Sequence, residues 1–214
     1  MEKQTYEMFV RLVTRLVVEE LEKFQRSVPI GVSNRHIHLD RADMDILFGR
    51  DSELTFKKEL GQPGQYACEE MVTLHGPKGE LSRVRVLGPL RSESQVEISV
   101  TDGFALGVRP PIRESGKLAG TPGVTIKGPK GTIEKDTGTI AALRHIHLPP
   151  EDAQRMGVRD KQMVKVEIRG PRGGIFHNVL IRVSEQFAPE MHIDVDEANA
   201  FGVKNGDRAY IIVE

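Results

Sequence analysis

Arg35-His36-Ile37-His38-Leu39 recurs letter for letter as Arg144-His145-Ile146-His147-Leu148, and the reading of this repeat decides the fold. Side chains of an extended strand alternate between two faces. Each histidine pair therefore shares one face, while Ile37 or Ile146 points the other way, into a core. Each copy is followed by a short acidic, helix-like stretch that ends at a glycine, Gly49 or Gly157. Downstream, a strand–Gly-Pro-Lys/Arg-Gly–strand unit appears at Gly76–Gly79 and again at Gly170–Gly173. An internal duplication is the economical explanation: two related β modules in a pseudo-symmetric arrangement. The Gly/Pro-rich stretch 107–123 is predicted to connect them.

Around the repeat, apolar residues alternate with polar ones in short runs rich in β-branched residues. These runs are Met71–Leu74, Ser82–Leu87, Gln95–Val100, Val124–Ile126, Val164–Ile168, Val179–Val183 and Ala209–Val213, with Val28–Val32 strand-like as well. Many short strands between tight turns predict a barrel or sandwich rather than βαβ units. The Gly-Pro-Lys/Arg-Gly turns, including Gly128–Gly131, open no helix and read as hairpins, not phosphate loops. Short helices are predicted at Arg41–Gly49, Pro150–Met156 and Asp196–Phe201.

Residues 4–25 have a different period. Tyr6, Phe9, Val10, Val13, Leu16, Val17, Leu21 and Phe24 recur at helical spacing, which predicts an amphipathic helix. Only Gln25-Arg26-Ser27 separates it from the first strand. That short spacer favours a helix docked on the body or on a second subunit over a tethered tag that binds a shell protein. The domain reading is thus 1–27 for the helix, 28–142 for the first module with its connecting segment, and 143–214 for the second. The first strand is left free to pair with the second module.

Composition narrows the function classes. The 214 residues carry 30 Lys+Arg against 31 Asp+Glu, so no charge excess points to nucleic acid or an anionic membrane. The single cysteine excludes an internal disulfide and fits a reducing cytoplasm. No apolar run approaches the roughly 20 residues that cross a bilayer.

The chemistry lies with the histidines. The two imidazoles of a His-x-His strand sit about 7 Å apart along the backbone and can converge on a metal. Two such pairs brought together by pseudo-symmetry offer His36, His38, His145 and His147 to one or two Zn²⁺-like ions, with Co²⁺ or Ni²⁺ also suited. His192, in Glu190-Met191-His192-Ile193-Asp194, is a further candidate. Glu97, flanked by Val96 and Ile98, either joins the site or faces solvent from its strand. Arg91 is placed to hold an anion if Glu97 touches a metal. His75 and His177 lack a paired mate and read as surface residues, and Cys68 as a small buried side chain.

Four motifs in order, Ser33-Asn34-Arg35-His36-Ile37-His38-Leu39, Gln95-Val96-Glu97-Ile98, Arg144-His145-Ile146-His147-Leu148 and Met191-His192-Ile193-Asp194 with Ala198-Asn199-Ala200, resemble the PduL-type phosphotransacylases, the phosphate propanoyltransferases. The resemblance runs from about Val28 to the C-terminus. It implies a mainly β fold of two pseudo-symmetric small β-barrels, capped by short helices, with a dinuclear zinc site between them. His36 and His38 would hold one metal and His145, His147 and His192 the other, with Glu97 bridging. Arg91 would bind phosphate, and Ser33, Lys58, Arg85 and Asn199 would contact coenzyme A. The implied reaction converts propanoyl-CoA or acetyl-CoA plus phosphate to acyl phosphate plus CoA, by direct transfer without an acyl-enzyme. The apolar face of residues 4–25, which needs a cover, favours a homo-oligomer such as a dimer, in the cytoplasm that the single cysteine fits. Family members housed in bacterial microcompartments carry an encapsulation helix where residues 4–25 stand, for a shell protein. The competing readings are a metal-dependent hydrolase of a thioester or related ester, and a non-enzymatic metal-binding β-module of a shell assembly.

Overall fold

The computed structural model describes residues 2–213, so residues 1 and 214 of the two outer assignments lie outside it. Helix α1 (Glu2–Gln25) is followed by β1 (Ser27–Ser33), the first histidine strand β2 (His36–His38) and α2 (Arg41–Phe48). Strands β3 (Phe56–Glu59), β4 (Tyr66–His75), β5 (Glu80–Gly88) and β6 (Gln95–Glu97) lead to α3 (Val100–Leu106). The connecting stretch contributes β7 (Ile112–Arg113), then β8 (Thr125–Lys127), β9 (Thr132–Glu134) and β10 (Thr139–Ala142). The second histidine strand β11 (His145–Leu148) opens the rest: α4 (Pro150–Met156), β12 (Met163–Ile168), β13 (Gly174–Val183), β14 (Glu190–Asp194), α5 (Val195–Phe201) and β15 (Arg208–Ile212).

The fold is mainly β and built from two related modules, as the repeat predicts. The second closes into a barrel in the order β1-β14-β11-β13-β12-β15. The first is a curled sheet in the order β7-β10-β6-β2-β5-β4-β8-β9, with β3 paired to β4. Strand β1 joins the second barrel, parallel to β14 and antiparallel to β15. All three Gly-Pro-Lys/Arg-Gly turns are hairpin turns, each closed by a hydrogen bond between its first and last glycine.

Each module has its own core, and the isoleucine inside each histidine pair anchors it. Ile37 is fully buried in one cluster with Leu39, Leu74, Val86 and Ile126; Ile146 is fully buried in the other with Ile30, Val166, Ile181 and Met191.

The duplication extends to side chains. The strand β2 pairs antiparallel with β6, setting His36 against Glu97; β11 pairs antiparallel with β14, setting His145 against His192. A helix begins just after each partner strand with a reciprocal capping box, Ser99 with Asp102 and Asp194 with Glu197. The arginine of each repeat then pairs with the third helical residue, Arg35 with Asp102 at 2.8 Å and Arg144 with Glu197 at 3.1 Å. These pairs explain why the repeat starts with arginine: it ties the histidine strand to the helix beyond its neighbour.

Two expectations need correction. The run Gln95–Val100 is not one strand, because the Ser99 cap stops it and starts α3; the pattern Ser-x-x-Asp outweighs the apolar alternation of Ile98 and Val100. The helix over 4–25 forms, but of the two dockings expected for it the body of this chain does not supply one, which leaves its apolar face to a second subunit. Tyr6, Phe9, Leu16, Leu21 and Phe24 stay 52–68% exposed. Among the described residues, the end of α1 touches the barrel through Glu20 with Arg169 (2.9 Å), Phe24 beneath the Arg208 guanidinium, and the Gln25 carbonyl accepting from Arg155. Removing residues 1–24 should therefore shift the thermal midpoint by no more than a few degrees and leave turnover near that of the full chain. A large drop in either quantity would show that the helix supports the barrel. No described helix is long and apolar enough to cross a membrane.

Candidate active site

Residues of both modules line one space, and the two histidine strands contribute to its walls. A cavity of about 410 Å³ is lined by His36, His38, Arg91 and Glu97 from the first module and by His145, His147, Arg182 and His192 from the second. A second, larger cleft of about 860 Å³ adjoins it, with Lys58, Arg83, Arg85 and Arg35 in its walls. Ser33, His36, Leu60, Leu87 and His192 line both, so the two spaces are continuous. Ser33, Lys58 and Arg85 stand in the cleft. Asn199 does not: it is exposed on α5, outside both linings, and Asn34 and Asn205 supply the amides there. His75 and His177 lie outside this double cavity.

The imidazoles are oriented by the backbone. The Nδ1 of His36 lies 2.8 Å from the Asn34 carbonyl, and that of His145 lies 2.8 Å from the Leu143 carbonyl. A carbonyl only accepts, so both Nδ1 atoms carry the proton, and Nε2 is left as a lone-pair donor. His145, His147 and His192 gather with ring centroids 4.7–5.1 Å apart. Ligand atoms of His36, His38 and Glu97 lie within 4.8 Å of one another. Several of these nitrogens have no hydrogen-bond partner among the described residues: Nδ1 of His38, both ring nitrogens of His147, and Nε2 of His192. The last lies 2.9 Å from Glu190 Oε2.

Burial dominates the protonation of the cluster. It pushes the His38 imidazole down to about 3, His145 to about 4 and His147 to about 2, with neighbouring rings and arginines adding to the effect. These rings are neutral at physiological pH, the form a metal requires. Burial works against ionisation of Glu97, yet His36, His38 and the permanent cation of Arg91 hold its carboxyl below the usual range. Neutral, unpartnered imidazoles beside an ionised carboxylate fit a divalent metal of the zinc type.

Several lining residues lie outside the set read from sequence. Gln95 donates from Nε2 to Glu97 Oε1 (2.5 Å) and to Ser115 Oγ (2.8 Å), while the Gly116 N–H donates to Gln95 Oε1. Ser115 also accepts from Arg91 Nη1 at 3.1 Å. The connecting segment is thus the roof of the cavity as well as a tether. Across the cavity, Glu190 is wedged against Gly31 and Gly61. A Cβ at Gly61 would stand 2.3 Å from Glu190 Oε2, and one at Gly31 2.8 Å from Oε1. Those glycines make room for the carboxylate, and Gln62 donates to it at 3.2 Å. Gln95 was visible inside its motif, as the neighbour of Glu97 on the same strand face. Ser115 and Glu190 become visible only through tertiary contacts.

Comparison with known proteins gives the class first: the chain is an acyltransferase. It belongs to the phosphate propanoyltransferase family, whose model matches residues 29–204. It is 61% identical to a phosphate propanoyltransferase of Rhodobacter capsulatus over 83% of each chain. A Thermotoga maritima protein of that name is 56% identical over 91% of this chain and 93% of its own. One from Salmonella typhimurium is 54% identical over 89% and 90% respectively.

Proposed function

We propose that the chain interconverts propanoyl-CoA plus phosphate with propanoyl phosphate plus CoA. The observation that carries this reading is the continuity of the two cavities. A cleft with Lys58, Arg83 and Arg85 suits the phosphates of a coenzyme A chain, and it opens at Ser33 and His192 onto the histidine cavity, where the thioester would arrive. Acetyl-CoA differs by one methylene, worth only about 1–3 kcal/mol in an apolar pocket, and belongs to the same substrate class.

His36, His38 and Glu97 would hold one divalent metal and His145, His147 and His192 a second, zinc being the natural match. Such ions, when bound, supply Lewis acidity for the thioester carbonyl and a counter-charge for the departing thiolate. Arg91, held by Ser115, grips the phosphate and aims one oxygen at the carbonyl carbon, a contribution of positioning. The new carbon–oxygen bond forms as the carbon–sulfur bond breaks, and CoA leaves with the bonding pair. Leu60, Leu87 and Phe187 wall the chamber and exclude water that would hydrolyse thioester or acyl phosphate. Cys68 is buried outside both linings with its thiol pushed up to about 11, chiefly by burial, which supports direct transfer without an acyl-cysteine.

Thiol release from propanoyl-CoA, followed with and without phosphate, tests the reading. Release should require phosphate and should stop after chelation, while far-UV circular dichroism stays near native. Phosphate-independent release would instead make the chain a thioester hydrolase.

The bare apolar face of α1 supports a further partner for residues 4–25. A second copy would give a homodimer or larger homo-oligomer in the cytoplasm. A shell protein would place the enzyme in a microcompartment lumen.

A further inference from the structure

We infer that Arg182 is a second anion-binding arginine of this site, so that the phosphoryl group is held between Arg91 on one module and Arg182 on the other. The inference rests on the phosphotransacylase reading and adds a substrate contact to it.

Placement comes from strand register. In the parallel pairing of β11 with β13, His145 lies beside Leu180 and His147 beside Arg182. Neighbours in register project to the same face of a sheet, so the Arg182 side chain enters the cavity that His145 and His147 line. The first module breaks the symmetry here. There His36 lies beside Arg85 and Ile37 beside Val86, so the next position, beside His38, is Leu87. Most of what shapes the fold is duplicated, including the capping boxes, the arginine pairs and the Nδ1 bonds. On the histidine face the order is reversed, Arg85 then Leu87 in the first module and Leu180 then Arg182 in the second, so the first module sends its arginine into the cleft and the second sends its own into the histidine cavity.

Charge accounting points the same way. Arg182 is only 26% exposed, and its nearest carboxylate is Glu114, at a loose 3.8 Å. Glu114 already pairs with Lys161 and with Lys117. Despite the opposing effect of burial, those lysines draw its carboxyl down to about 2. Arg182 therefore has no carboxylate of its own. Arg91 feels the Glu97 carboxylate without forming an ion pair with it, and its guanidinium donates to the neutral Ser115 hydroxyl. Burial first, and then the charge of Arg182, disfavour the Arg91 cation, against the pull of Glu97. Two partly buried guanidiniums that repel across a cavity of about 410 Å³ are stable together when an anion lies between them. A tetrahedral dianion offers each one a bidentate face. Phe187, its ring 5.6 Å from the Arg182 guanidinium carbon, backs the side chain on the other side.

The test uses metal-loaded wild type, R182M and R182K. The KM for phosphate should rise about tenfold to hundredfold in R182M, the loss of a charged hydrogen-bonding partner. R182K should fall between, since an ammonium keeps the charge and loses the fork. The KM for propanoyl-CoA and the bound metal should stay within about twofold of wild type. Sulfate, as a competitor of phosphate, should weaken in parallel, which a merely structural role would not produce. An unchanged phosphate KM, or an equal rise in both KM values, overturns the inference; where R182M does not fold, R182K alone decides. Calorimetric titration of inorganic phosphate into wild type and R182K separates this inference from the reading beneath it. Tighter binding by wild type without phosphate-dependent thiol release sinks the reading and leaves Arg182 standing as an anion site. Equal binding by the two proteins sinks the Arg182 inference.

Discussion

Replacing His145 by alanine is expected to lower phosphate-dependent thiol release by about a thousandfold or more, the scale on which removal of a transition-state electrostatic partner acts. The Leu143 carbonyl fixes this ring through Nδ1, and burial keeps the ring neutral, so its free nitrogen serves the cavity and not the fold. The variant should therefore melt close to wild type when both are stripped of metal, while its metal content falls. His75→Ala is the control, because His75 reaches only Glu80 beside the first hairpin turn (3.3 Å) and should leave turnover near normal. Similar losses from the two substitutions would mean that the site is misassigned.

One residue along, Ile146→Ala should do the opposite kind of damage. Ile146 is fully buried in the barrel core. Truncation there costs about 2–5 kcal/mol in lost burial and residual cavity. For a chain of this size that is a fall in Tm of roughly 5–15 °C. Well below its melting temperature the variant should keep measurable turnover and bound metal, unlike His145→Ala. A melting temperature within about 2 °C of wild type would show that the barrel does not rest on this side chain. Adjacent positions of one tripeptide thus separate chemistry from stability, as the alternation of a strand predicts.

That alternation is why so much was legible in the sequence. The repeated pentapeptide exposed the duplication, the sharing of a face by each histidine pair, and the burial of Ile37 and Ile146. The hairpins were legible because glycine and proline act locally. What failed were readings where a local pattern met a competing signal or a distant partner. The Ser99–Asp102 cap ended a strand that alternation would have continued. The face of α1 is amphipathic, but periodicity does not say what covers it. Arg182 sat in plain view in a predicted strand. Its importance depends on which strand lies beside it, and pairing across modules is not written in any short stretch.

The placement of β1 has a consequence for how the protein is made. Ser27 pairs with Tyr210 and Val28 with Ala209, so β1 is synthesised before every other strand of its barrel and closes it against the latest of them, β15. Until the second module is made, the apolar β1 residues Val28 and Ile30, both buried in the finished protein, lack the barrel core that covers them. Contacts of such long sequence separation close slowly, and the uncovered strand is a point of aggregation and chaperone engagement during translation. A ribosome-stalled chain that stops before β14 should therefore hold a folded first module and an unfolded second one.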